Sequence, residues 1–149
     1  MEDEQNIIKE VNESVNSAIT WKRDDAAGKW QSPAETISRG LGDCEDFAIL
    51  KWSLLAEKGI ESWLAYTFYT KLPLSDREAH MVLLVENPRQ ACWMVLDNLF
   101  GDIKPLHERS DLSMIYRFNE TGLVVNGDDE RLRDLKSLPA FEKILRDEA

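Results

Sequence analysis

The strongest constraint on this chain is a change of periodicity near its middle. Up to about Lys58 the apolar residues recur at helical spacing; from Glu61 onward they come in short runs rich in Trp, Tyr, Phe, Thr and Val. A 3.6-residue period buries one face of a helix, and a compact β-rich run bounded by turn residues makes a strand. The chain is therefore read as helices first and an antiparallel sheet after them, an α+β arrangement. Its 149 residues suit one domain, 1–149. The core is expected over about 4–125, and a charged helical tail over about 128–147, broken or kinked near Pro139.

The helical half carries clear punctuation. Ile7, Ile8, Val11, Val15 and Ile19 share one face of a helix over about 4–19. A polar loop, Trp21–Gly28, follows. Ser32-Pro33-Ala34-Glu35 then combines a cap, a first-position proline and a capping-box glutamate, and Gly40 and Gly42 end that short helix. Asp43 caps the next helix, which runs to about Lys58 with Phe47, Leu50, Leu54 and Leu55 as its stripe and Gly59 as its stop. Strands are expected at Glu61–Tyr69, Ala79–Glu86, Ala91–Asn98 and Met114–Phe118, with Lys71–Glu78 a loop and Asn87–Gln90 a turn.

Charge removes whole classes of function. With 18 basic and 28 acidic side chains the formal charge is −10. Such a chain is poorly suited to nucleic acid or an anionic membrane, and better suited to a cation. No apolar run approaches the roughly 20 residues of a bilayer span, so no membrane insertion is expected. The acidic start, Met1-Glu2-Asp3-Glu4-Gln5, shows no signal peptide. Taken alone, that leaves a cytoplasmic location open.

Two cysteines cannot form a disulfide framework, although one bond between them is conceivable in an oxidising compartment. Cys92 opens an apolar strand and reads as packed and inert. Cys44 falls in the first turn of a helix, where unpaired N–H groups favour an anion. A nucleophilic thiol also needs an imidazole and a group to orient it. His80 begins one expected strand and Asp97 ends the next; if those strands pair through the Asn87–Gln90 turn, the two become neighbours. Cys44 at the helix tip can face them. The plain alternatives are a packed cysteine, a structural histidine and a turn aspartate. His107 reads as exposed and non-catalytic. Asp43, Glu45 and Asp46 around Cys44 read first as capping and dipole-favoured carboxylates, yet they should raise the thiol pKa. A hard cation would relieve that conflict, and Asp24 and Asp25 can add oxygens.

Gly-Asp-Cys-Glu-Asp-Phe-Ala-Ile-Leu-Lys at 42–51 resembles the signature of the bacterial transglutaminase-like cysteine proteinases. Trp30-Gln31-Ser32-Pro33-Ala34-Glu35-Thr36 upstream is similar to the family's Trp-x-x-Pro-x-Glu-Thr stretch. Ala79-His80-Met81-Val82-Leu83, Val95-Leu96-Asp97-Asn98-Leu99 and the Tyr116–Leu123 stretch extend the resemblance, which runs from about Val11 to Leu123. Lys29-Trp30-Gln31-Ser32 departs from the more usual Tyr-Trp-Ala-Thr.

The resemblance implies a papain-like, transglutaminase-type core with the nucleophile at a helix N-terminus. It implies Cys44 as nucleophile, His80 as base and Asp97 as orienting residue. It implies Ca2+ at Asp43, Glu45 and Asp46, with Asp24 or Asp25 as a further ligand. It also implies a protein substrate, a large surface adhesin cleaved to release cells from a biofilm, a periplasmic setting, and sequestration by an inner-membrane receptor for cyclic di-GMP. Two other readings use the same residues: acyl transfer to an amine, and a calcium-dependent binding module without catalysis.

Overall fold

The helical period of the first third becomes three helices. The first, α1, spans Glu4–Ala18 and is capped by the Asp3 side chain. The second, α2, spans Pro33–Arg39, with the expected Ser32–Glu35 capping box and Gly40 in the left-handed conformation (φ 68°) at its end. The third, α3, spans Cys44–Glu57, so Cys44 is its first residue. The computed structural model describes residues 3–23, 30–70, 77–127 and 131–148. The expected aspartates Asp24 and Asp25 and most of the Lys71–Glu78 loop lie outside the described residues.

A two-residue parallel ladder, which the sequence did not announce, joins the helices. β1 (Thr20–Trp21) pairs with β2 (Leu41–Gly42). It ties the end of α1 to the residue preceding the cap of α3. Gly42 is required there by space: a Cβ would lie 2.7 Å from Cβ of Asp46. No other side chain fits without displacing the carboxylate that closes the α3 cap.

The sheet is larger than the sequence suggested. β3 (Trp63–Thr70), β4 (Arg77–Asn87), β5 (Cys92–Leu96), β6 (Lys104–Pro105), β7 (Leu112–Asn119) and β8 (Gly122–Val125) form one sheet in the order β6-β5-β4-β3-β7-β8, every neighbouring pair antiparallel. β6 and β8 are too short to show a period. β5 pairs with β4 only from Leu83 to Asn87, whereas β3 pairs along β4 from Arg77 to Leu84. Among the described residues, the first half of β4 therefore has a strand on one side and none on the other. That open side receives the tip of α3.

Both faces of the sheet are covered, which is why Met81–Val85 reads as a continuous apolar run. Leu64, Met81, Leu83, Val85, Leu96 and Phe118 face the helices. Ala65, Val82, Leu84 and Val95 lie on the other face, shielded by Trp63, Trp93 and neighbouring apolar side chains. The Arg117 guanidinium sits over both tryptophans, 5.0 and 5.3 Å from their ring centres. α3 is buried on more than the expected stripe. Phe47 and Leu50 meet Val15 and Ile19 of α1, while Ala48, Ile49, Trp52 and Leu55 join the main core. A helix enclosed this way is apolar on most sides, and its position is fixed by several contacts at once.

The last helix, α4 (Pro139–Glu148), starts at Pro139 and belongs to the same core. Phe141 is fully buried, edge-on to Trp52 at 5.3 Å and to Phe118 at 4.9 Å. Replacing so enclosed a ring leaves a cavity that neighbours fill only in part. Phe141→Ala should therefore lower unfolding free energy by about 3–5 kcal/mol, measured by urea denaturation. A loss below about 1 kcal/mol would mean α4 is not docked as described.

Candidate active site

Local folding brings the three chemical residues to one place. The α3 capping box aims the helix: Asp43 accepts from Cys44 N–H, and Asp46 Oδ2 accepts from Asp43 N–H at 3.0 Å. Asp46 Oδ1 accepts from Gln31 N–H at 2.9 Å, tying in the segment that leads to α2. The thiol of Cys44 then lies against the open side of β4, where Met81 N–H donates to Sγ at 3.4 Å. On the adjoining residue, His80 Nε2 meets Asp97 Oδ1 at 2.7 Å. The expected pairing of strand start with strand end holds with a shift. The last ladder pair is Leu83–Leu96, so Asp97 continues opposite Val82 and reaches His80 diagonally.

Asp97 is held from several sides. Its Oδ1 also accepts from Leu99 N–H at 3.1 Å, its Oδ2 accepts from Arg109 Nη2 at 2.9 Å, and its backbone carbonyl accepts from Asn16 of α1 at 3.0 Å. Burial alone would raise the Asp97 pKa, since the side chain is 1% exposed. The hydrogen bond and charge of His80, with Leu99 N–H and Arg109, outweigh burial and hold it below the usual carboxylate range. Asp97 is thus an anion placed to accept the hydrogen bond of His80 Nε2–H. Nδ1 is the ring nitrogen that Asp97 does not engage. Thr67 accepts no part of this chemistry; its hydroxyl donates to the His80 carbonyl at 2.7 Å and fixes the backbone. The Tyr69 ring lies 5.9 Å from the His80 ring.

Cys44, His80 and Tyr69 line a cleft of about 580 Å³ with Trp21, Arg23 and Leu99. Trp21 and Leu99 are exposed apolar side chains at its rim. A concave site with apolar walls and a few convergent polar groups is the usual form of a ligand-binding cleft.

The surroundings of the thiol oppose its ionisation. Burial first, then the charge of Glu45, pushes the Cys44 pKa well above that of a free thiol; Met81 N–H works in the other direction. Glu45 Oε2 is 3.4 Å from Sγ. Burial and the neighbouring Asp43 and Asp46 raise Glu45 itself to about 7. Ligand atoms of Asp43, Cys44 and Glu45 all lie within 4.8 Å of one another. Of the expected acidic cluster, Asp43 and Glu45 converge beside the thiol, whereas Asp46 is turned inward, 1% exposed, with both oxygens on backbone N–H groups. Cys44 N–H, a natural candidate for an oxyanion donor, is engaged by Asp43. Cys92 is at the opposite end of β5 from Asp97, and both cysteines are free. His107 is exposed beside Glu108.

The chain belongs to the bacterial transglutaminase-like cysteine proteinases. The model of that family matches residues 1–120. Two structures of LapG from Legionella pneumophila are similar over 99% of this chain. The EGTA-treated form has 29% identity, a TM-score of 0.88 and 81% of its own length covered. The calcium-bound form has 28% identity, a TM-score of 0.83 and 82% covered. No match was found among curated protein sequences. The fold is the papain-like, transglutaminase-type α+β core, and the chain is a cysteine peptidase.

Two residues of the site escaped the sequence reading. Arg109 follows a single 3-10 turn, Leu106–Glu108, in a loop with no motif. Lys51 sits two turns along α3 from Cys44, outside the apolar stripe expected for that helix. Yet it is 1% exposed, and burial lowers its pKa to about 7, partly offset by the charge of Asp97. The folded pKa lies below the unfolded value, so the unfolded chain holds the extra proton between about 7 and 10.5. Stability due to this group therefore rises with pH across that window, and the full penalty of burying the ammonium is present below 7. Lys51→Met should gain most over the wild type at pH 6 and least near pH 10, compared by urea midpoints. An equal difference at both pH values would contradict a titrating Lys51.

Proposed function

We propose that this chain is a calcium-dependent endopeptidase whose catalytic residues are Cys44, His80 and Asp97. The observation that carries the reading is the convergence of the α3 tip and the His80–Asp97 pair in one cleft. Cys44 Sγ attacks the peptide carbonyl to give an acyl-enzyme. His80 takes the thiol proton and delivers it to the leaving amine, and Asp97 keeps the ring oriented. Water then releases the acid. Cys44→Ala should abolish cleavage of a quenched-fluorescent mixed-sequence peptide library while leaving the melting temperature near that of the wild type. Undiminished cleavage by that variant would overturn the assignment.

Calcium enters from the donor set and from the calcium-bound relative. Asp43 and Glu45 would hold it, since hard cations prefer carboxylate oxygen and these two groups crowd each other in the absence of a positive charge. When bound, the ion would neutralise the negative charge that raises the thiol pKa. Asp46 serves this reading as the brace of the cap, and Asp24 or Asp25 as a further donor. Glu45 must be ionised to bind, so affinity should fall as pH drops below about 7. Calorimetric titration with calcium chloride at pH 6 and pH 8 checks this. Equal affinity at both, or no binding, would remove Glu45 from the site.

We further propose a large surface adhesin as the substrate, a periplasmic setting, and control of biofilm attachment through an inner-membrane receptor for cyclic di-GMP. Support comes from the family membership and from the likeness to LapG of Legionella pneumophila.

A further inference from the structure

We infer that Arg109 is a positioning residue for the catalytic pair, acting through Asp97. This rests on the assignment of Asp97 as the residue that orients His80. Arg109 is 6% exposed. Its Nη2 donates to Asp97 Oδ2 at 2.9 Å, while Nη2 and Nε donate to the two oxygens of Asp111 at 2.8 and 2.9 Å. The guanidinium lies 4.9 Å from the centre of the Phe100 ring. A planar fork held by a bidentate carboxylate and seated on an aromatic ring has little freedom. It therefore offers Asp97 one fixed donor direction.

That direction decides what Asp97 can do. A carboxylate with one oxygen on His80 can still swing about its last bond. Arg109 takes the second oxygen, and Leu99 N–H shares the first. The plane of the carboxylate is then set, and with it the plane of the imidazole. Arg109 also draws on the negative charge of Asp97, so His80 feels a shared anion instead of a whole one. Among the described residues, the other charged or titratable groups lining the cleft around His80 are Cys44 and Asp43 from α3, Tyr69 from β3, Arg23 from the segment after β1, and Glu78 on its own strand. Lys51 of α3 interacts electrostatically with Asp97. None of these is hydrogen-bonded to Oδ2 of Asp97 in the way Arg109 is.

The test uses the full chain with calcium chloride present. The double variant Arg109→Met/Asp111→Leu removes the guanidinium without stranding the Asp111 carboxylate. Arg109→Lys keeps the charge but cannot hold both carboxylates. The chain has two histidines, His80 and His107, so proton NMR titration reads His80 directly, with exposed His107 as internal control. In the double variant the His80 midpoint should rise by about half a pH unit or more, because Asp97 no longer shares its charge. Turnover of the peptide library should fall about tenfold or more at unchanged KM. In Arg109→Lys the midpoint should stay near the wild-type value while turnover still falls. A purely structural brace would lower the melting temperature and leave the midpoint of the folded molecules in place. An unmoved His80 midpoint in the double variant, or in Arg109→Met if the double variant does not fold, overturns the proposal. The NMR readout decides it even if the wild type cleaves no peptide, which would count against the peptidase reading alone.

Discussion

Everything at the site hangs on one buried carboxylate. Asp97 is an anion in an environment that disfavours anions, and it persists because His80, Arg109 and Leu99 N–H pay its solvation back through hydrogen bonds. Removing a partner from such a group leaves a buried charge uncompensated, at a cost of about 3–5 kcal/mol. The loop that follows β5 is therefore pinned in one place. So is the histidine on β4, and so is α1, which reaches the Asp97 carbonyl through Asn16. Three separate segments of the chain converge on this residue.

The second constraint is where β5 stops. Had its pairing with β4 continued past Leu83, a strand would occupy the space that the tip of α3 now fills. The early stop exposes Met81 N–H, and the Cys44 thiol takes it. A sheet edge in the interior of a protein needs something to satisfy it. Here the Cys44 thiol does so, which places it beside His80 without any further device. Gly42 completes the arrangement by letting Asp46 close the helix cap against the chain.

Legibility followed physical locality. The caps of α2 and α3 were readable because side chain and backbone partner are three residues apart in sequence. The placement of Cys44, His80 and Asp97 was readable because a short turn forces two strands to pair. What the sequence concealed depends on distant contacts. β6 and β8 take their form from neighbours already in place. Lys51 carries a charge that ordinarily marks a solvated face, and only tertiary packing buries it. Arg109 approaches Asp97 from a loop whose course no local pattern sets. Asp46 reads first as a carboxylate favoured at the helix start, but its second partner, Gln31 N–H, lies in a different segment that no local pattern brings to it.

In the proposed mechanism, His80 under the direction of Asp97 makes Cys44 reactive against the pull of burial and of Glu45. The most direct measurement is the rate of Cys44 alkylation by iodoacetamide from pH 5 to pH 9, followed by mass spectrometry with calcium present, in the wild type and in Asp97→Asn. Cys92 serves as the reference thiol in the same chain. The account requires fast alkylation of Cys44 well below the free-thiol pKa of about 8.5 in the wild type, and loss of that reactivity in Asp97→Asn. Profiles that coincide in the two proteins, or a wild-type Cys44 that reacts no sooner than Cys92, would contradict it.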